Sequence, residues 1–164
     1  MAKIALTRID NRLIHGQVAV GFIGKSNADK IVVIDNKTAT NEFARDVLSL
    51  AVPPGLTHEV YTVEEAVEEW QKDQFGPGCV MVIIKNIPQA YEVYNAGYAF
   101  ESLMIGGTVT GADRVKFEAA AISFTKEEAA MLDELAAKGV DIIIQQTHLT
   151  KITSWNDAKK RLPF

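Results

Sequence analysis

The chain has 164 residues, 48% of them hydrophobic and 23% charged, with a formal net charge of −4. That length suits one domain with a sizeable core, and that balance is too apolar for a disordered chain. The mild acidity excludes the broad basic field that nucleic acid or an anionic membrane would require of its main partner.

The one cysteine, Cys79, excludes a disulfide framework; inside "CVMVIIK" it reads as a buried core thiol. "MAKIALTRID" at the N-terminus has no long apolar segment and no cleavage site, so it does not read as a signal peptide. No stretch approaches the roughly 20 apolar residues of a membrane span. A reduced, cytoplasmic setting is expected.

In chain order, "IAL" at 4–6 predicts a first buried strand, followed by the polar loop "DNRLIH" and the start of a helix in "GQVAVGF". "IVVI" at 31–34 predicts a second strand, ending on Asp35. "VPPG" at 52–55 is a turn. "THEVYT" at 57–62 alternates polar and apolar residues, as an edge strand does. Thr62 then caps a helix with Glu65 as its capping partner, and Val63, Ala66, Val67 and Trp70 recur at helical spacing on its core face. "FGPG" at 75–78 is a second turn, and "CVMVII" at 79–84 a third buried strand. "NIPQAYEVYNAG" has Pro88 near a first helical turn and Gly97 just past the end. "LMI" at 103–105 is a strand running into Gly106, Gly107 and Thr108. "TKEEAAMLDELAAKG" repeats the capping device, with Thr125 and Glu128 as the pair, Leu132 and Leu135 inward and Gly139 as the stop. "VDIII" at 140–144 is the last strand, and "SWNDAKKRLPF" predicts a short helix with Trp155 docked on the body.

Strands alternating with single helices imply βαβ units. The expected fold class is α/β: an open, mostly parallel twisted sheet of six to seven strands with helices on both faces. One domain should span residues 1–164, with a core to about 146 and a polar tail beyond it.

In such a sheet, functional groups collect at the carboxyl ends of the strands. The stretch "RIDNRLIHGQV", from Arg8 to Val18, leaves the first strand at such an end. It carries Asp10, Arg12 and His15. A neutral imidazole is a good nucleophile toward phosphorus, and an arginine fork suits the equatorial oxygens of a transferred phosphoryl group. Asp10 could orient the ring or hold Arg12. Gly16 lets the chain turn beside the histidine. Amides of Gly16 and Gln17 at the helix start would favour a phosphate, with those of Gly106 and Gly107 across the rim.

Other residues on that rim keep two meanings each. Asp35 is a site acid or a cap of the next segment. Lys85 is a phosphate contact or a strand-end charge. Thr108 stands at the same rim. His148 follows the last strand and could reach it, whereas His58 lies on the edge strand and reads as a surface residue. Neither makes a metal spacing with His15, and nothing in the pattern asks for a cofactor. An acid after the second strand is also what a dinucleotide fold uses, but G-x-G-x-x-G is missing after the first strand. The residues alone therefore leave two classes open: a phosphocarrier that forms a phosphohistidine, or a non-catalytic doubly wound module that binds a small anion or nucleotide.

"RIDNRLIHGQV" resembles the active-site loop of the enzyme IIB components of mannose-type sugar phosphotransferase systems, which serve mannose, fructose, sorbose or amino sugars. "KIVVIDNKTATNEFARDVLSLAVPPGL", "MVIIKNIPQAYEVYNAGY", "LMIGG" and "ISFTKEEAAMLDELAAKGVDIIIQQ" resemble successive units of the same family. The resemblance implies that His15 receives a phosphoryl group from a histidine of the IIA component. It would pass that group to a sugar entering through the membrane components IIC and IID. By position, Arg12 would steady the phosphoryl group and Asp10 would order the loop. It further implies work in the cytoplasm, transiently at the inner face of the membrane, and no nucleic-acid partner; a homodimer is left open.

Overall fold

The computed structural model describes residues 3–164, without the side chains of residues 17–20 and 119–120. In chain order the first half holds β1 (Lys3–Asp10), α1 (Gly16–Ser26), β2 (Lys30–Ile34), α2 (Asn36–Ala39), α3 (Glu42–Leu50), β3 (Thr57–Tyr61), α4 (Val63–Asp73) and β4 (Cys79–Ile84). The second half holds α5 (Ile87–Ala96), β5 (Ser102–Gly107), β6 (Val115–Phe117), β7 (Ala119–Phe124), α6 (Lys126–Ala137), β8 (Asp141–Ile144), β9 (Thr153–Ser154) and α7 (Trp155–Lys159).

Seven of these strands form one sheet in the order β3-β2-β4-β1-β5-β8-β9. All neighbours are parallel except β9, which runs antiparallel to β8. The open, mostly parallel sheet expected from the sequence is what forms, and "THEVYT" does lie at its edge. β1 sits centrally, between β4 and β5.

The inner strands are apolar at consecutive positions because both of their faces are covered. Val32 and Ile34 of β2, with Val80, Val82 and Ile84 of β4, enter one apolar layer, whereas Ile31, Val33, Met81 and Ile83 enter the other. Helices α4, α5, α6 and α7 cover the first layer through Ala66, Ala90, Leu132 and Trp155. Helices α1 and α3 cover the second through Phe22 and Leu48. Among the described residues, no helix is long and apolar enough to cross a membrane.

The helix ends follow the local chemistry. Thr62 with Glu65, and Thr125 with Glu128, form complete capping boxes. Asn86 caps α5, with Pro88 in its first turn. Gly97 ends that helix at φ 141°, a backbone angle that side chains oppose.

Four features differ from the sequence reading. β1 runs on through Asp10, so Arg8 and Asp10 are strand residues. The stretch 115–124 forms an antiparallel hairpin, β6–β7, turning at Glu118 with φ 43°. Its alanine-rich second strand has weak β preference and its turn has no glycine or asparagine, so the usual signals were missing. Cys79 is half-buried at the first position of β4, and its Sγ donates to the Ser26 carbonyl at 3.7 Å. It faces the strand's entry and not its core. The polar tail also contributes more than the expected helix, since Thr153 pairs with Ile144 as a short seventh strand.

Trp155 is buried at 2% exposure, packs 5.3 Å from the Phe124 ring and donates its indole N–H to Asp133 at 3.0 Å. Trp155→Ala should therefore lower stability by about 3–5 kcal/mol, read as a fall in the urea midpoint. A fall below about 1 kcal/mol would mean the tail is not part of the cooperative core.

Candidate functional site

Alternation along β1 sorts its side chains. Thr7 and Ile9 face the layer under α4–α6, where Thr7 meets the Tyr98 hydroxyl at 2.8 Å. Leu6, Arg8 and Asp10 point the other way, toward α1. Arg8 is 1% exposed and Asp10 is 2% exposed.

Asp10 organises the chain that follows. Its Oδ1 accepts the Arg12 amide at 3.1 Å. Its Oδ2 lies 3.0 Å from His15 Nε2 and 3.4 Å from Arg8 Nη2. The Leu13 amide donates to the Asp10 carbonyl at 3.0 Å, and the Asn11 amide donates to Gly107 across the sheet at 3.2 Å. Leu13 takes φ 60°, a left-handed angle costly for leucine, held by its own buried side chain in the second layer. Ile14 is buried beside it. His15 is extended at φ −152° and ψ 143° and stands as the N-cap of α1, whose first turn has no side-chain cap.

A carboxylate has only acceptors to offer. The hydrogen on the shared line must then come from His15 Nε2, which leaves Nδ1 as the unprotonated, lone-pair nitrogen of the neutral ring. The imidazole is 17% exposed. Arg12 is exposed, and among the described residues its guanidinium has no hydrogen-bond partner.

The other rim residues are placed as follows. Lys85 donates to the Asn11 carbonyl at 2.9 Å, so it ties down the loop from β4. Asp35 caps α2, accepting from the Thr38 amide and hydroxyl at 3.0 and 2.6 Å and from Gln89 Nε2 at 2.9 Å. Burial alone would push its carboxyl up; the Thr38 and Gln89 donors, with Lys85 nearby, hold it below the ordinary value instead. Thr108 turns inward, donating to the Ser123 carbonyl at 2.8 Å. His58 is half-buried on β3. His148 is half-buried against α1: a Cβ on Gly21 would stand 2.3 Å from its Nδ1, and Phe22 meets it edge-on. The Gln17 side chain lies outside the described residues.

Gly106 and Gly107 differ from the expected rim turn. They form no turn on the rim but end strand β5, buried. A Cβ on Gly106 would stand 1.9 Å from the Arg8 guanidinium, and one on Gly107 3.1 Å from Asp10 Oδ1. Both are small because β1 side chains cross over them.

Arg8, to which the sequence pattern gives no part on the rim, is bonded into the Asp10 cluster. Its Nη1 donates to the Gln145 carbonyl at 2.8 Å and the Met104 sulfur at 3.0 Å, and its Nη2 to the Gln146 carbonyl at 2.6 Å. The signal was available: an arginine and an aspartate two apart in an extended segment share one face.

The chain belongs to the family described as the PTS system sorbose subfamily IIB component, whose model matches residues 4–161. The solved structure of manxB from Thermoanaerobacter tengcongensis is similar at a TM-score of 0.93 and 30% identity, covering 100% of this chain and 99% of that one. The sorbose-specific EIIB component of Lacticaseibacillus casei is 27% identical over 139 residues, 85% of this chain and 84% of that protein. The mannose-specific EIIAB component of Escherichia coli K12 is 25% identical over 143 residues, 87% of this chain. This chain spans only 44% of that longer relative.

Because Asp35 is held below its ordinary value, its stabilisation is complete above the unfolded carboxylate range near about 3.9 and fades as pH falls toward the lowered folded value. Urea midpoints of the parent should drop between about pH 5 and pH 3. Asp35→Asn should flatten that drop while lowering stability at pH 7; an unchanged pH profile would remove Asp35 from its capping role.

Proposed function

We propose that this chain is a phosphoryl carrier of a phosphoenolpyruvate-dependent sugar phosphotransferase system, with His15 as the phosphorylated residue. The observation that carries the reading is the His15 Nε2–Asp10 Oδ2 hydrogen bond of 3.0 Å, which leaves Nδ1 free on a partly exposed ring.

The chemistry follows from that bond. The Nδ1 lone pair attacks phosphorus on a phosphohistidine of the IIA component; the new N–P bond forms as the donor's N–P bond breaks. His15 gains positive charge as this happens, and the buried Asp10 carboxylate stabilises it without taking the proton. Nδ1 is the ring nitrogen nearer the backbone. The first-turn amides of α1, at Gly16 and Gln17, lack a side-chain cap and offer donors for a phosphoryl group on His15. Arg12, exposed, supplies a planar fork for the phosphoryl oxygens. In the second half-reaction a sugar hydroxyl oxygen attacks the same phosphorus at the membrane components IIC and IID. The N–P bond breaks and the hydroxyl proton is released.

Lys85, Gly107 and Thr108 act behind this site. Lys85 anchors the Asn11 carbonyl, Gly107 makes room for Asp10 and accepts from Asn11, and Thr108 locks the strand that follows. The carrier works in the cytoplasm and meets the membrane only through its partners. Sorbose and mannose are named for relatives; we take the acceptor to be a sugar of this group.

The test is phosphorylation of the purified chain by phosphoenolpyruvate, enzyme I, the histidine phosphocarrier and the cognate IIA. A mass gain of one phosphate, stable in base and labile in acid, is expected, and His15→Ala should abolish it. A His15→Ala chain that still gains phosphate would refute the assignment. Arg12→Lys keeps the charge but loses the paired donors. It should slow transfer from IIA at least roughly tenfold, about 1.4 kcal/mol, with the fold intact. Transfer at the parental rate would take Arg12 out of its role.

A further inference from the structure

We infer that Arg8 is a positioning residue for the His15 chemistry: a cation buried inside the sheet that holds Asp10, and through it the tautomer of the imidazole. The inference rests on reading His15 as the phosphoryl acceptor.

Arg8 heads the largest fully buried side chains of the molecule. It does no evident work as packing. A buried ion pair is seldom worth more to stability than an apolar pair of the same volume, and one Arg8 donor, Nε, is buried with no partner among the described residues. What Arg8 does achieve is directional. Its two Nη groups reach four acceptors on three segments: Met104 on β5, the Gln145 and Gln146 carbonyls after β8, and Asp10 beside it on β1. The face of its guanidinium lies 4.4 Å from the Phe22 ring of α1, the helix that His15 begins. Gly106 leaves the room this requires.

Arg8 and His15 approach the same oxygen, Asp10 Oδ2. The guanidinium on Oδ2, with the Arg12 amide on Oδ1, fixes where that carboxylate's oxygens lie. With Oδ2 an acceptor aimed at the ring, only an N–H at Nε2 satisfies both groups, so Nδ1 stays bare and ready to attack. Remove the fork and Asp10 can turn. The ring then loses its reason to prefer one tautomer. A lysine at position 8 cannot substitute, because one ammonium cannot hold Asp10 and both carbonyls in a fixed plane.

The readout must see the tautomer and not only the fold. The full chain is labelled with ¹⁵N in its histidine rings, and the two His15 nitrogens are followed by long-range ¹H–¹⁵N correlation for the parent, Arg8→Lys, Asp10→Asn and the double variant. In the parent, Nδ1 should carry the unprotonated signal. In Arg8→Lys a second tautomer should appear. Phosphoryl acceptance should lose at least roughly tenfold in kcat, with KM for the phosphorylated donor unchanged, since the docking surface is untouched. Because Arg8 acts through Asp10, the double variant should be no slower than Asp10→Asn alone. A folded Arg8→Lys chain with the parental tautomer, or losses that add in the double variant, would overturn the inference. Should Arg8→Lys fail to fold, the parent still decides. Clamped Nη protons should give separate, slowly exchanging resonances, and an averaged, fast-exchanging guanidinium would refute the clamp. If the parent accepts no phosphate at all, the carrier reading falls, while the tautomer comparison still judges Arg8.

Discussion

The carboxylate of Asp10 is the joint on which the rim turns. It is buried at the end of the central strand and receives the Arg12 amide, His15 Nε2 and Arg8 Nη2. These three donors come from the loop, the start of α1 and the interior of the sheet. A carboxylate hidden from water is costly unless every lone pair is used. Meeting that demand pulls the loop into one conformation. The left-handed Leu13, the extended His15 and the two glycines of β5 are the local concessions.

Charge around this joint is graded from inside to outside. Arg8 and Asp10 are sealed in, His15 is partly exposed and Arg12 is exposed. The gradient separates two tasks. Buried groups make strong, oriented interactions because the surrounding dielectric is low. The exposed Arg12 guanidinium has no hydrogen-bond partner among the described residues. His15 sits where the two meet, at the lip of the sheet.

The sheet makes that lip rigid. β1 is flanked by parallel strands on both sides, and the ends of β4 and β5 supply Lys85 and Gly107 to the loop. Asp35, one strand further out, is spent on capping α2 and joining it to α5 through Gln89. It stabilises the neighbourhood without entering the site. The last strand and helix extend the sheet past β8, and the chain before them delivers the Gln145 and Gln146 carbonyls to Arg8.

Much of this was legible along the chain. Runs such as "IVVI" and "CVMVII" announce strands covered on both faces, and the Thr–Glu capping pairs mark where α4 and α6 begin. The histidine loop stands out because charge and glycine interrupt an apolar stretch. All of these signals act within a few residues, through φ/ψ preference, side-chain period or capping hydrogen bonds. The sequence by itself therefore determined the order of elements, the sheet class and the loop in which Asp10, Arg12 and His15 stand together. It did not reveal that Arg8 is sealed in, that Gly106 is small for Arg8's sake, or that Thr108 faces inward. Nor did it reveal that residues 115–124 pair as a hairpin. Arg8 meets Gln145 from 137 positions away, and does so only because β5 lies beside β1 and β8 beside β5. Which strands become neighbours is settled by packing of the whole chain, and only the tertiary structure decided it.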